Sequence, residues 1–120
     1  MASSTLLLLD GDDDFREALS EALSDDGFRV IACASEQEIP APETMATVGV
    51  LLSADESPLR SILGFVDRFH ILYPTVPAIL LAAFVSVELE NEVRERPFVH
   101  LLRKPVDYEN LHQLVCRLST

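Results

Sequence analysis

Residues 6–15, LLLLDGDDDF, decide the fold. Four consecutive leucines make too short a run for a core helix and read as a strand buried on both faces. The run stops at Asp10, and Asp12, Asp13 and Asp14 follow at once. Carboxylates this close repel one another unless a cation, a lysine or protonation relieves them. The chain holds a single lysine, Lys104.

Working outward, the pattern of an apolar run followed by an amphipathic helix repeats. Asp14 is placed to cap a helix with Phe15, Ala18, Leu19, Ala22 and Leu23 on its inner face, closed by Gly27. Residues 29–33 (RVIAC) read as a second strand. Ser35 then starts a helix that Pro40 and Pro42 cut short, with another turn near Glu43. Residues 48–53 (VGVLLS) form a third strand. Pro58 opens a helix carrying Leu59, Ile62, Leu63, Val66, Phe69 and Ile71 or Leu72 inward. Residues 78–82 (AILLA) are a fourth strand, 86–94 a polar surface helix and 98–102 a fifth strand. Asp107 caps a last helix packed through Leu111, Leu114, Val115 and Leu118.

Two-sided apolar strands alternating with helices specify an α/β fold, a parallel sheet covered on both faces. With right-handed crossovers the expectation is a (βα)5 doubly wound, five-stranded sheet in the order 2-1-3-4-5, one domain over residues 1–120. Such a sheet binds ligands beyond the carboxyl ends of its strands, where strand order reverses. That places Asp10, Ser53, Ala82 and Lys104 together.

Composition narrows the partners. Hydrophobic residues are 48% and charged residues 24%, and 20 acidic against 9 basic residues give a formal charge of -11. A domain this acidic is repelled by nucleic acid and anionic membranes, so proteins or cations are the expected partners. No apolar run is long enough to span a bilayer, and the opening MASST lacks the basic segment of a secretion signal. Cys33 and Cys116 make no disulfide framework and read as small buried residues of a cytoplasmic protein.

The segments LLLLDGDDDFREAL, VGVLLS, AILLAA and LLRKPVDYENL resemble a CheY-like response-regulator receiver domain over essentially the whole chain. The 43 positions from Asp10 to Ser53 and the 22 from Ala82 to Lys104 suit that resemblance. It implies an acidic pair binding magnesium after the first strand and an aspartate at the end of the third that accepts a phosphoryl group from a histidine kinase. It also implies a Ser or Thr ending the fourth strand, a switch aromatic in the fifth, and a lysine followed by a cis proline. Phosphoryl transfer asks chiefly for positioning and for cations around the equatorial oxygens.

Carried over residue by residue, the set is incomplete. Asp10 matches the first acid; Gly11 stands at the second, where Asp12 or Asp13 could substitute. Ser53 falls at the acceptor position, with Asp55 as the fallback. Ala82 offers no hydroxyl and Leu101 no ring at the switch positions. Lys104 and Pro105 are kept. A serine hydroxyl without a base is a poor nucleophile.

The expectation is therefore a degenerate receiver, not an enzyme, requiring no cofactor and at most binding Mg2+ weakly. The alternative is an active, magnesium-dependent phosphoacceptor using Asp55. By resemblance the partners are an output domain (transcription regulation among its roles), a histidine kinase-like protein or a second copy. Homodimerisation would use the fourth helix, fifth strand and fifth helix, through Val87, Leu89, Val93, His100, Arg103 and Tyr108. Glu88, Glu90 and Glu92 would pair there with Arg103 and Arg117.

Plainer readings stand beside these. Asp10 and Lys104 form a structural ion pair; Asp12 to Asp14 are a solvated loop with one cap. Asp10, Asp12, Asp14 and Glu21 fit an EF-hand spacing, but Phe15 stands where the loop requires glycine. His70, His100 and His112 have no ligand spacing.

Overall fold

Every one of the five apolar runs becomes a strand of one sheet. In the computed structural model, which describes residues 5–54 and 59–119, the strands are β1 (Thr5–Asp10), β2 (Arg29–Cys33), β3 (Val48–Ala54), β4 (Ala78–Ala82) and β5 (Val99–Arg103). They lie in the order β2-β1-β3-β4-β5, and all four pairings are parallel. The helices are α1 (Asp13–Asp25), α2 (Pro42–Met45), α3 (Leu59–Leu72), α4 (Val87–Arg94) and α5 (Tyr108–Leu118).

Strand alternation divides the core in two. Leu7, Leu9, Leu51 and Leu80 face Phe65, Val66 and Phe69 of α3 and Leu89 of α4. Leu6, Leu8, Val50, Leu52 and Ala54 face Leu19 and Leu23 of α1 and Leu111, Leu114 and Val115 of α5. None of the four leucines of β1 exceeds 7% exposure. Each such burial is worth ~1.5–3 kcal/mol, which makes β1 the axis of both layers.

The helix termini correct several expectations. Asp12, not Asp14, caps α1: its backbone is extended and its carboxylate accepts from Phe15 N. Asp13 and Asp14 then fall in the first turn, where the helix dipole favours them. Ser35 makes no side-chain cap; a single 3-10 turn, Glu36–Glu38, follows it. Pro42 opens the four-residue α2, which buries only Met45. Ser86 and Asp107 cap α4 and α5, each accepting from backbone N–H groups of the first turn. Pro58 and Asp55 lie outside the described residues.

Three apolar expectations fail on geometry. Ile71 and Leu72 are 77% and 71% exposed, because the inward stripe of α3 ends at Phe69 and Tyr73 packs on that ring. Ala18 is exposed on α1. Cys116 is exposed as well; it follows buried Val115, and one residue turns a helix by about 100°. Among the described residues no helix is long and apolar enough to cross a membrane.

Candidate functional site

Asp10 ends β1 and is 2% exposed. Its Oδ1 accepts from the Asp12 backbone N–H at 2.9 Å, and its Oδ2 lies 3.5 Å from Lys104 Nζ. Burial pushes the Asp10 carboxyl above the usual aspartate range, and the Asp12 N–H and Lys104 hold that rise in check. Its backbone carbonyl accepts from Arg16 Nη1 at 2.8 Å, tying the first turn of α1 to the end of the strand.

Lys104 follows β5 directly. Its N–H donates to the Ala82 carbonyl at 2.8 Å, and the Lys104–Pro105 peptide is cis, as the resemblance implied. The side chain returns over the sheet edge, with Nζ 4.2 Å from the centroid of the Phe15 ring. The ammonium thus sits between a buried carboxylate and an aromatic face, an arrangement favourable to a partly desolvated cation.

The third strand runs one residue further than its apolar pattern indicated. Both Ser53 and Ala54 lie inside β3, and both are buried. Asp10 is the register partner of Ala54, whereas Ser53 pairs with Leu9. Since successive side chains alternate between faces, Ala54 shares the α1/α5 face with Asp10. By the same alternation Ser53 lies on the α3 side of the sheet, and it lines an open cavity of about 300 Å³ together with Leu9, Asp10, Gly11, Ile62 and Phe65. Asp10 and Ser53 thus share one cavity at the carboxyl ends of β1 and β3, although the register partner of Asp10 is Ala54.

The remaining candidates disperse. Asp12 is engaged in capping α1, and Asp13 meets Arg16 at 2.7 Å. Ala82 presents a methyl group to the α3/α4 core, and Leu101 packs at the edge of that core. Among the described residues no three His, Cys, Asp or Glu side chains gather to hold a metal. Magnesium takes an octahedral oxygen set. Here Asp10 accepts from the Asp12 N–H and faces Lys104, Gly11 has no side chain and the Asp12 carboxylate caps α1. On the expected dimer face, Leu89 belongs to the core and Glu92 is engaged with Arg96 at 2.9 Å. Val87 (74% exposed) remains on the surface with Arg103. The Phe15–Lys104 contact and the role of Ala54 went unread; counting the β1–β3 register from Asp10 would have found the second.

An open parallel sheet with a lysine returning to an acid at its switch point defines a class of fold. No protein-family model matches the sequence, and no curated protein matches it. Solved structures do. Chemotaxis protein CheY4 of Vibrio cholerae is 25% identical with a TM-score of 0.83, covering 98% of this chain and 99% of its own. A response regulator from Thermotoga maritima is 22% identical with a TM-score of 0.83, over 97% of each chain. NtrX from Brucella abortus, 16% identical with a TM-score of 0.80, matches 97% of this chain over 26% of its own length. The fold is that of the CheY-like response-regulator receiver domains.

Proposed function

We propose that this chain is a receiver domain that signals without being phosphorylated, through contacts with other proteins. One observation carries the reading: the β3 residue beside Asp10 in register is Ala54 and the one before it is Ser53, so among the described residues β3 presents no carboxylate to take a phosphoryl group. The neighbouring Ser53 offers a hydroxyl in place of a carboxylate, a poor nucleophile unless a base activates it. The Lys104 ammonium pairs with Asp10 and Phe15 instead. Ala82 and Leu101 supply neither the hydroxyl nor the ring that would couple such a group to the surface. The partners by resemblance are an output domain, a kinase-like protein or a second copy, and the acidic surface favours basic contact faces.

Incubation with acetyl phosphate, or with beryllofluoride and magnesium, tests the reading. Unchanged mass and unchanged amide resonances are expected. A phosphoryl adduct on Asp55, or a magnesium-dependent shift at Asp10, would replace this reading with that of an active phosphoacceptor.

A further inference from the structure

The helix between β2 and β3 is four residues long, Pro42–Met45, and buries only Met45. Pro40 and Pro42 keep the chain before it from running on as helix, because a proline inside a helix lacks its N–H and clashes with the preceding turn. Met45 lies three residues before β3 begins, so α2 covers the amino ends of the strands on the α3 side. Over the carboxyl ends of β1 and β3 that face is left to α3 and the 3-10 turn Glu36–Glu38. The open cavity of about 300 Å³ lies between those two elements.

Its apolar lining is Leu9, Ile62 and Phe65, each at most 8% exposed. Two hydroxyls join them. Ser53 is 1% exposed, Ser35 makes no cap for the turn that follows it, and among the described residues neither hydroxyl has a hydrogen-bond partner. The two acids that line the cavity are already matched. Asp10 faces Lys104 at 3.5 Å, and Arg68 Nη2 donates to both Glu36 carboxylate oxygens at 2.9 and 3.1 Å. No lysine or arginine is among the lining residues.

We propose that this cavity binds a small uncharged molecule, its apolar body against Leu9, Ile62 and Phe65 and one hydrogen-bonding head group at the Ser35 and Ser53 hydroxyls. An anionic head meets two carboxylates and no cation. A cationic head finds both carboxylates already neutralised and gains nothing for its lost hydration. An alcohol both donates and accepts, and so matches either hydroxyl. A gap left by poor packing would have apolar walls alone; a buried hydroxyl without a partner costs free energy until something bonds it. The volume stands at the lower end of the roughly 300–1,000 Å³ of small-molecule sites, which share this mostly apolar lining with few polar groups. The inference rests on the reading that these strand ends take no phosphoryl group.

The test uses the full chain, isotope-labelled for amide resonances, and three probes of one shape: benzyl alcohol, benzylamine and benzoate. Benzyl alcohol should shift the Leu9, Ser53 and Phe65 amides saturably, with a Kd of about 1 mM for about eight non-hydrogen atoms. Benzylamine and benzoate should bind about tenfold more weakly or worse, because a charge is stripped of water without a partner. Ser53→Ala should weaken the alcohol about fivefold, the loss of one hydrogen bond, in a protein that still melts cooperatively. Benzyl alcohol shifts that stay linear to about 20 mM, as for a cavity holding only water, overturn the proposal. Benzylamine or benzoate binding as tightly as the alcohol overturns it too. Acetyl phosphate run alongside keeps the two readings apart. A phosphoryl adduct sinks the phosphorylation-independent receiver, whereas an unmodified mass with linear shifts sinks the ligand site alone.

Discussion

Lys104 Nζ stands 3.5 Å from Asp10 Oδ2, joining two residues that are 94 positions apart and are 12% and 2% exposed in their side chains. Taking the lysine away strands a carboxylate that has little access to water. Lys104→Ala should lower stability by ~1–3 kcal/mol near neutral pH, less than for a tightly bonded buried pair because this contact is long. Without the ammonium the Asp10 carboxyl rises further, so the protonated form takes over sooner on acidification. The deficit should therefore shrink as pH falls, and urea melts at about pH 7.5 and pH 4.5 read it out. Pairing Lys104→Met with Asp10→Asn should recover most of the loss. A loss independent of both pH and Asp10 would count against the ion pair.

The β1–β3 register makes a sharper prediction about which residue faces the acid pocket. Ala54→Asp places a carboxylate beside Asp10 in register, within the field of Lys104; Ser53→Asp places one in the cavity that Leu9, Asp10, Ile62 and Phe65 line. Each should cost ~2–4 kcal/mol as a charge with incomplete pairing. The variant whose new carboxylate meets Asp10 should regain stability in millimolar magnesium, and the register favours Ala54→Asp for that role. Thermal melts with and without the ion decide the matter, and recovery of Ser53→Asp alone would give the role to the shared cavity instead.

Most of the fold could be read from the chain because strand and helix periods were uninterrupted: LLLL and AILLA admit no other use in a short domain. Lys104 and Pro105 reached their places because β5 and the Asp107 cap fix the turn between them. The reading of β3 turned on the side-chain period of two. Apolar runs buried on both faces give no sign of where they end, so β3 ran on through Ser53 and Ala54. The sequence therefore could not say which residue met Asp10. Asp12 displaced Asp14 as cap because Asp10 bonds the Asp12 N–H and sets the start of the helix two residues earlier. Cys116 was misread because a small apolar-looking residue beside Val115 carries no directional signal of its own.

Tyr108 ties α5 to the end of α1, its hydroxyl 2.5 Å from Asp26 Oδ2 and 3.1 Å from the Ala22 carbonyl. Tyr108→Phe removes these contacts while keeping the ring, and should cost ~1–2 kcal/mol. Burial, then the Asp26 carboxylate, pushes the phenol above its ordinary value. The folded state then keeps a proton that the unfolded chain has lost, so stability should decline as pH rises above about 10. Chemical denaturation of the two proteins from about pH 8.5 to pH 11 should show that decline in wild type and a smaller one in the variant.

His100 carries the opposite sign. It is the second residue of β5, opposite Ile79, and burial, then the nearby Arg117, holds its pKa below the ordinary histidine value. In the unfolded chain the ring gains a proton near pH 6.5, while the native ring resists it. The unfolded state therefore binds more protons in this window, and stability is lost as pH falls from about 7 toward 5. His100→Gln keeps a polar side chain without the charge change, so the stability difference between wild type and variant should tilt toward the variant on acidification. Arg117→Gln should reduce that tilt, because part of the resistance to protonation is its charge. A difference that stays level from about pH 7 to pH 5 would mean that the folded strand accepts the proton as readily as water does.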